Sequence, residues 1–288
     1  MLFTLYHIYL YRDTNDAHAI GADLREHAKL WYGRNTNVTC IGMDAVILGT
    51  RIDALTLEQV LQHIHGYIHS DAPHYLVTPN PEILVAASRD AELRAILNHA
   101  DLSVADGVGV MLAARWLGTR LPQRLPGADL VYRLAELAAA ESWSVYLLGG
   151  EGSTPAQAAQ RLRQAFPRLR IAGVSNAQID DPRHPPAEVI ERIAASPADL
   201  LLVGLGGGKQ ERFMYYNLDQ LPRVRLALGV GGTLDFFAGR IPRAPRWLRS
   251  IGAEWLYRLV RQPSRWRRIA TAVIQFPWLV LKYRHAHA

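Results

Sequence analysis

The feature that most constrains the fold is an alternation, starting near Asn37, of short β-branched and apolar runs with longer amphipathic segments. Strands buried between two layers of helices are apolar on both faces, and helical crossovers join them into parallel sheets. The sequence therefore predicts an α/β fold with a mostly parallel sheet flanked by helices. The predicted strands are 74–78, 102–105, 144–149, 170–174, 199–205 and 226–230, and the predicted helices are 81–99, 107–117, 128–142, 154–166, 186–196 and 209–220.

Charge divides the chain unevenly. From Arg240 to the C-terminus, eleven Arg and Lys accompany a single acid, Glu254, so this segment carries +10, while the whole chain carries +6 and the remainder −4. Two prolines interrupt the alternation just after Arg240. We therefore expect an irregular leader at residues 1–37, an α/β core at 38–240 and a basic amphipathic helical appendage at 241–288.

The basic appendage indicates a polyanionic partner, with nucleic acid, anionic lipid and a pyrophosphate-bearing substrate as the candidates. Its arginines are interleaved with Trp255, Trp266 and Trp278, a mixture that favours the headgroup region of a membrane over nucleic acid. No apolar run reaches the roughly 18 to 20 residues that span a bilayer, the N-terminus lacks the features of a signal peptide, and Cys40 has no internal disulfide partner. We expect a cytoplasmic protein, peripheral on the inner face of the membrane, with a homo-oligomer left open.

Two glycine-rich turns follow predicted strands, Gly149-Gly150 in the first and residues 204–208 in the second. Backbone N–H groups in such turns bind phosphate oxygens at a helix start, and the pattern makes the later half of the chain Rossmann-like. Neither turn completes a dinucleotide fingerprint or a P-loop. Each turn can therefore be either a simple tight turn or a phosphate-binding site.

Polar side chains also follow the first two predicted strands. Thr78 and Asn80 lie in VTPNPE, where Asn80 suits a helix cap and Pro81 the first helical position, although a rigid polar turn there could also hold a sugar. Asp106 precedes Gly107, so it is either part of an Asp-Gly turn or a general base.

Seven ordered blocks extend this pattern: TPNPE (78–82), ADLSVADGVGV (100–110), LPGADL (125–130), VYLLGG (145–150), VGLGGGKQE (203–211), GVGGTLDFFAGRIPRAPRWL (229–248) and EWLYRL (254–259). Together they resemble the WecG/TagA/CpsF glycosyltransferase family over about residues 40–281. The resemblance implies an inverting hexosyltransferase that moves a sugar, such as N-acetylmannosamine, from a UDP-sugar to an undecaprenyl-diphosphate-linked sugar in cell-surface polysaccharide synthesis. It also implies a site without cofactor and without the metal-binding Asp-x-Asp motif of many other transferases.

The resemblance further implies roles for individual residues in the first half of the chain. Asp106 matches the proposed base, while Thr78 and Asn80 match positions expected at the sugar. Arg124, just before the LPGADL block, matches a basic position near phosphate, and the turn of Gly149 and Gly150 matches a substrate-binding block.

The second half contributes nucleotide-binding and charge-neutralising positions. The residues matched there are Lys209, Gln210, Glu211 and Asp235, and the appendage arginines Arg258, Arg265 and Arg268. These arginines are expected to close over the site and neutralise the leaving diphosphate, as a metal ion does elsewhere. Gly208 departs from the family pattern, which has proline there.

Three alternatives stay open at this point. A glucosyl or uronic acid transferase of exopolysaccharide assembly has the same motifs, since one or two hydrogen bonds distinguish hexoses. An NAD-dependent oxidoreductase would need a complete glycine fingerprint followed by an acid on the next strand. A nucleic-acid-binding protein is suggested only by the pI near 9.6.

Overall fold

The computed structural model describes residues 44–242, 244–245, 248 and 254–286. The predicted leader at 1–37 lies outside the described residues, as does the side chain of Arg258.

A six-stranded parallel sheet forms the centre of the fold. It confirms all six predicted strands and the α/β class. Three of its strands are buried along their whole length and two more at all but one terminal residue, as apolar sequences predict, whereas the sixth, at residues 170–175, is largely half-buried or exposed. The strands are β3 (His74–Val77), β4 (Leu102–Ser103), β5 (Ser144–Gly149), β6 (Arg170–Ser175), β7 (Leu200–Gly204) and β8 (Leu226–Gly229). Across the sheet they lie in the order β4-β3-β8-β7-β5-β6.

Helices connect and cover these strands. They are α1 (Leu57–Ile68), α2 (Pro81–Ala87), α3 (Ala91–His99), α4 (Val108–Trp116), α5 (Gly127–Glu141), α6 (Thr154–Ala165), α7 (Ala187–Ala194), α8 (Lys209–Asn217), α9 (Thr233–Phe237), α10 (Glu254–Arg261), α11 (Trp266–Ala270) and α12 (Phe276–Ala286). The single helix predicted at 81–99 is two helices, because Asp90 caps α3 by accepting the Leu93 N–H at 2.9 Å.

A hairpin and a helix that were not predicted precede the sheet. Strands β1 (Ala45–Ile47) and β2 (Thr50–Ile52) pair antiparallel around Leu48 and Gly49, which both have positive φ, as a tight two-residue hairpin turn requires. Helix α1 follows, and Thr56 and Gln59 form a reciprocal capping box at its start.

The C-terminal helix α12 packs into the domain. Phe276 and Val280 are buried in an apolar cluster with residues of the hairpin, α2 and α4. Between α11 and α12 the helix widens into a π-helical turn at residues 271–275. Among the described residues, no helix combines the length and the apolar character needed to cross a bilayer.

Candidate functional site

The carboxyl ends of β3 and β4 bring the first candidate residues together. Val104 donates its N–H to the Val77 carbonyl at 3.0 Å, and Asp106 donates its N–H to the Pro79 carbonyl at 3.0 Å. Leu125 N–H donates to the Ala105 carbonyl at 2.9 Å. Three backbone bonds therefore align the segments that carry Thr78 and Asn80, Asp106 and Arg124 at one edge of the sheet.

Asn80 has a structural task at this edge. Its Oδ1 accepts the Ile83 N–H at 3.0 Å and caps α2, with Pro81 as the first helical residue. The cap interpretation is therefore correct for Oδ1. A ligand can still use the Nδ2 amide, which is a donor.

Thr78 faces the start of α5. A Cβ on Gly127 would lie 3.5 Å from Thr78 Oγ1 and 3.9 Å from Thr233 Oγ1. Two hydroxyls therefore flank the N-terminus of α5, where backbone N–H groups attract anions. Thr233 was not predicted as a site residue, although it belongs to the matched GVGGTLDFF block.

Gly109 lets α2 and α4 approach closely beside the C-terminal helix. A Cβ on Gly109 would lie 2.9 Å from Pro81 Cγ and 3.8 Å from the Phe276 ring. In the same appendage, Arg268 Nε donates to Glu82 Oε2 at 2.6 Å. The appendage thus contacts both the TPNPE and the DGVG segments.

The turns after β7 and β8 are joined by buried side chains. Gln210 Oε1 accepts the Gly231 N–H at 2.8 Å, and Gln210 Nε2 donates to Glu211 Oε1 at 2.8 Å. Glu211 Oε2 in turn accepts the Gly208 N–H at 2.6 Å. Burial of Glu211, which is 2% exposed, raises the pKa of its carboxyl. These two residues therefore hold the loops in place from beneath.

Gly208 adopts a conformation that proline cannot. Its φ is +86°, whereas proline is fixed near −65°. Its carbonyl accepts a bond from Arg212 Nη1 at 3.1 Å. Arg212 is itself held by Asp90 and Glu92, so charged side chains fix this turn where the family pattern has a proline.

Glu92 is a junction for the same network. Burial of its carboxyl opposes ionisation, but hydrogen bonds from Arg183, Tyr216 and Arg212 prevail and lower the pKa of Glu92 to about 2. The carboxylate is therefore ionised at neutral pH and links α3 to α8.

Lys209 and Asp235 lie on either side of these turns. Lys209 Nζ donates to the Ile179 carbonyl at 3.1 Å. A Cβ on Gly232 would lie 3.7 Å from Asp235 Oδ2 and 3.9 Å from Arg265 Nη2, so Arg265 of the appendage reaches the Asp235 segment.

The turn at Gly149 and Gly150 lies farther away, because β5 is separated from β3 by β7 and β8. The Gly150 N–H donates to the Gly204 carbonyl at 3.2 Å, which removes it from the groups that could bind phosphate. Arg240 donates to the Glu151 carbonyl at 3.1 Å and to Thr154 Oγ1 at 2.6 Å, and so closes this turn.

At the opposite, amino edge of the sheet, Ser70, His74 and Asp101 are aligned. His74 Nε2 lies 2.8 Å from Ser70 Oγ, and Nδ1 lies 2.8 Å from Asp101 Oδ1. The order is that of a hydrolytic triad. However, Ser70 Oγ lies 2.9 Å from the carbonyl oxygens of both Tyr67 and Ala72, so its one proton is bonded to the backbone. These three side chains therefore link the amino ends of β3 and β4.

Comparison with known proteins assigns the chain to a family. The sequence model of the Glycosyl transferase WecG/TagA/CpsF family matches residues 45–288. An N-acetylglucosaminyldiphosphoundecaprenol N-acetyl-beta-D-mannosaminyltransferase of Bacillus spizizenii is 34% identical over 222 residues, covering 77% of this chain and 84% of the relative. The protein of the same name in Bacillus subtilis is 30% identical over 216 residues, covering 75% and 82%. The chain therefore belongs to the WecG/TagA/CpsF family of glycosyltransferases.

Proposed function

We propose that this chain transfers a hexosyl group, N-acetylmannosamine or a related hexose, from a UDP-sugar to an undecaprenyl-diphosphate-linked sugar. The observation that carries the proposal is the fixed position of Asp106 beside the TPNPE turn, through its N–H bond to the Pro79 carbonyl at 3.0 Å. The acceptor class follows from the names of the two Bacillus relatives.

The proposed reaction is a single displacement with inversion. The Asp106 carboxylate accepts the proton of the acceptor hydroxyl, whose oxygen forms a bond to the anomeric carbon of the donor sugar. The bond from that carbon to the diphosphate breaks on the opposite face, and UDP leaves with the electron pair. General-base assistance of this kind contributes roughly 10²-fold to 10⁴-fold.

Arginine side chains are assigned to bind the leaving diphosphate. Arg124 follows from its place beside Asp106, and Arg265 and Arg268 follow from their contacts with the Gly232 and Glu82 segments. Fixed guanidinium groups stabilise charge that grows as the bond breaks, and they pair with phosphate oxygens in a bidentate manner. We therefore propose a transfer that needs no metal ion, in which Arg258 shares the same role.

The nucleoside is assigned to the turns after β7 and β8. Asp235 and Lys209 are the candidates for direct contact, while Gln210 and Glu211 act by positioning the Gly208 and Gly231 backbone. Thr78 and the Nδ2 amide of Asn80 are assigned to the sugar. Gly149 and Gly150 are assigned to the border of the site, because the Gly150 N–H is already bonded.

A membrane site of action follows from the appendage. It presents exposed Trp255, Val260, Trp266, Ile274 and Trp278 among its arginines. Tryptophan prefers the headgroup boundary, and each basic residue near an anionic surface adds about 1 kcal/mol. We propose that the protein works as a peripheral enzyme on the cytoplasmic face, where its lipid-linked acceptor lies.

The test is UDP release in EDTA, with a synthetic lipid-diphosphate-GlcNAc acceptor and a panel of UDP-hexoses. We expect one donor to give acceptor-dependent release, which Asp106→Asn lowers at least about 10²-fold. Asp219→Asn, an exposed acid beyond α8, serves as the control and should keep wild-type activity.

Each result decides a different part of the proposal. If only UDP-glucose or a UDP-uronic acid gives release, the proposed donor sugar is wrong and the reaction class still stands. Full activity of Asp106→Asn would refute the assignment of the base, and no binding of UDP at all would refute the transferase site.

A further inference from the structure

Helix α4 exposes an apolar face that the core does not use. Its inner positions Val110, Ala113 and Ala114 are buried, whereas Leu112 and Trp116, one turn apart, are 47% and 43% exposed. Residues three and four apart share one helix face, so this stripe points away from the core.

A basic cleft lies at the end of the same helix. Arg115, Gly118, Thr119 and Arg120 line an open depression of about 320 Å³ directly after Trp116. The sequence has no acidic residue between Asp106 and Asp129. Two guanidinium groups beside an exposed tryptophan match the phosphate and boundary region of an anionic lipid.

The neighbouring helix of the appendage shows the same division into a buried and an exposed face. Helices α4 and α12 pack on one apolar cluster through Ala113 and Phe276 and their neighbours. The outer residues of the C-terminal segment, Ile274, Trp278 and Leu281, are spaced four and three residues apart and are exposed. Two adjoining helices thus both bury one face in the cluster and present apolar residues on the other.

We propose that Leu112, Arg115, Trp116 and Arg120 form a second membrane contact, in which Arg115 and Arg120 bind the headgroup phosphate of an anionic lipid. This inference rests on the proposed transfer to a lipid-linked acceptor. Helix α4 starts two residues after Asp106 and rises about 1.5 Å per residue, so its far end lies about 13 Å from the base. The contact sets the distance between the bilayer surface and the site where the acceptor reacts.

The experiment measures binding of the full chain to vesicles of phosphatidylglycerol and phosphatidylcholine. Arg115→Gln/Arg120→Gln should weaken binding to anionic vesicles about 30-fold, and leave binding to pure phosphatidylcholine unchanged. Leu112→Ala/Trp116→Ala should weaken binding to both at least about tenfold. The matched control is Arg168→Gln/Arg170→Gln, an exposed pair at the start of β6, which is the outermost strand on the side of the sheet away from β4.

UDP release separates this inference from the proposed function. Both double variants should keep wild-type rates with a short-chain, water-soluble acceptor and lose activity with the acceptor embedded in vesicles. If the wild type releases no UDP with either acceptor, the transferase proposal fails, and the vesicle measurements still decide the contact.

Three results would overturn the contact. The first is unchanged vesicle binding of both variants. The second is equal loss with the control pair, which would indicate only net charge. The third is a sedimentation shift in the Leu112→Ala/Trp116→Ala protein without lipid, together with unchanged vesicle binding, which would assign the face to a second copy of the chain.

Discussion

Replacing Gly109 by alanine tests the close packing that brings the site together. A methyl group there would lie 2.9 Å from Pro81 Cγ, and a proline ring cannot rotate away. Overpacking of this kind costs about 1 to 3 kcal/mol, against a gain of at most about 1 kcal/mol from the better helix propensity of alanine. Because the proline ring is rigid, we place the cost in the upper part of that range and expect a net loss of about 1 to 2 kcal/mol of unfolding free energy.

Gly66 provides the matched control, because it also lies in a helix, and no atom of the described residues is within 4 Å of a Cβ added there. Gly66→Ala should raise the unfolding free energy by about 0.5 to 1 kcal/mol. In a domain of this size each kcal/mol shifts Tm by about 2 to 4 °C. Differential scanning calorimetry should therefore show opposite shifts for the two variants.

The same substitution should also slow the reaction. Pro81 belongs to the turn that is bonded to Asp106 through Pro79, so a shift of a few tenths of an ångström there moves Asp106, the proposed base. We expect about a tenfold loss of kcat, since small misplacements of reacting groups are costly. Equal increases of Tm for Gly109→Ala and Gly66→Ala, with activity unchanged, would refute the packing argument.

Three further outcomes follow from buried or strained positions. Phe276→Ala should lower the unfolding free energy in a urea titration by about 3 to 5 kcal/mol, whereas Trp278→Ala, at an exposed position of the same helix, should change it by less than about 0.5 kcal/mol. The pKa of Glu92 is lowered to about 2, so the stability that its carboxylate contributes is complete above about pH 4.5 and is lost as the pH falls toward 2. Glu92→Gln should therefore remove that decrease in Tm at acid pH. Gly208→Pro should lower both Tm and the affinity for UDP measured by calorimetry, because it forbids a φ of +86° and removes the N–H bonded to Glu211.

Most of the strands were predictable because their sequences are apolar on both faces, as in a sheet covered by helices on both sides. The hairpin was not, since β1 and β2 have three residues each and Leu48 takes a positive φ that a non-glycine residue rarely adopts. Helix α1 could have been found from its capping box, Thr56 with Gln59.

The sequence indicates which candidate residues follow the strands, but not which of their polar groups are already bonded within the protein. Gly150 has the sequence context of a phosphate-binding turn, yet its N–H is bonded to Gly204. That bond depends on β5 and β7 being neighbours, which is set by strand order. Likewise, Gln210 and Glu211 match a ligand-binding motif, but their side chains are directed to the Gly231 and Gly208 backbone.

The contact between Arg268 and Glu82 suggests how an appendage can close a site and still release its product. Both side chains are partly exposed, so the pair contributes at most about 1 kcal/mol. A diphosphate offers more charge and two oxygens in the geometry that a guanidinium prefers. In the transfer proposed above, Arg268 therefore exchanges one carboxylate for the diphosphate as the donor binds, and returns to Glu82 when UDP leaves. The weakness of the pair is what permits this exchange, while Phe276, buried beside Gly109, keeps the arginine within reach of the site throughout.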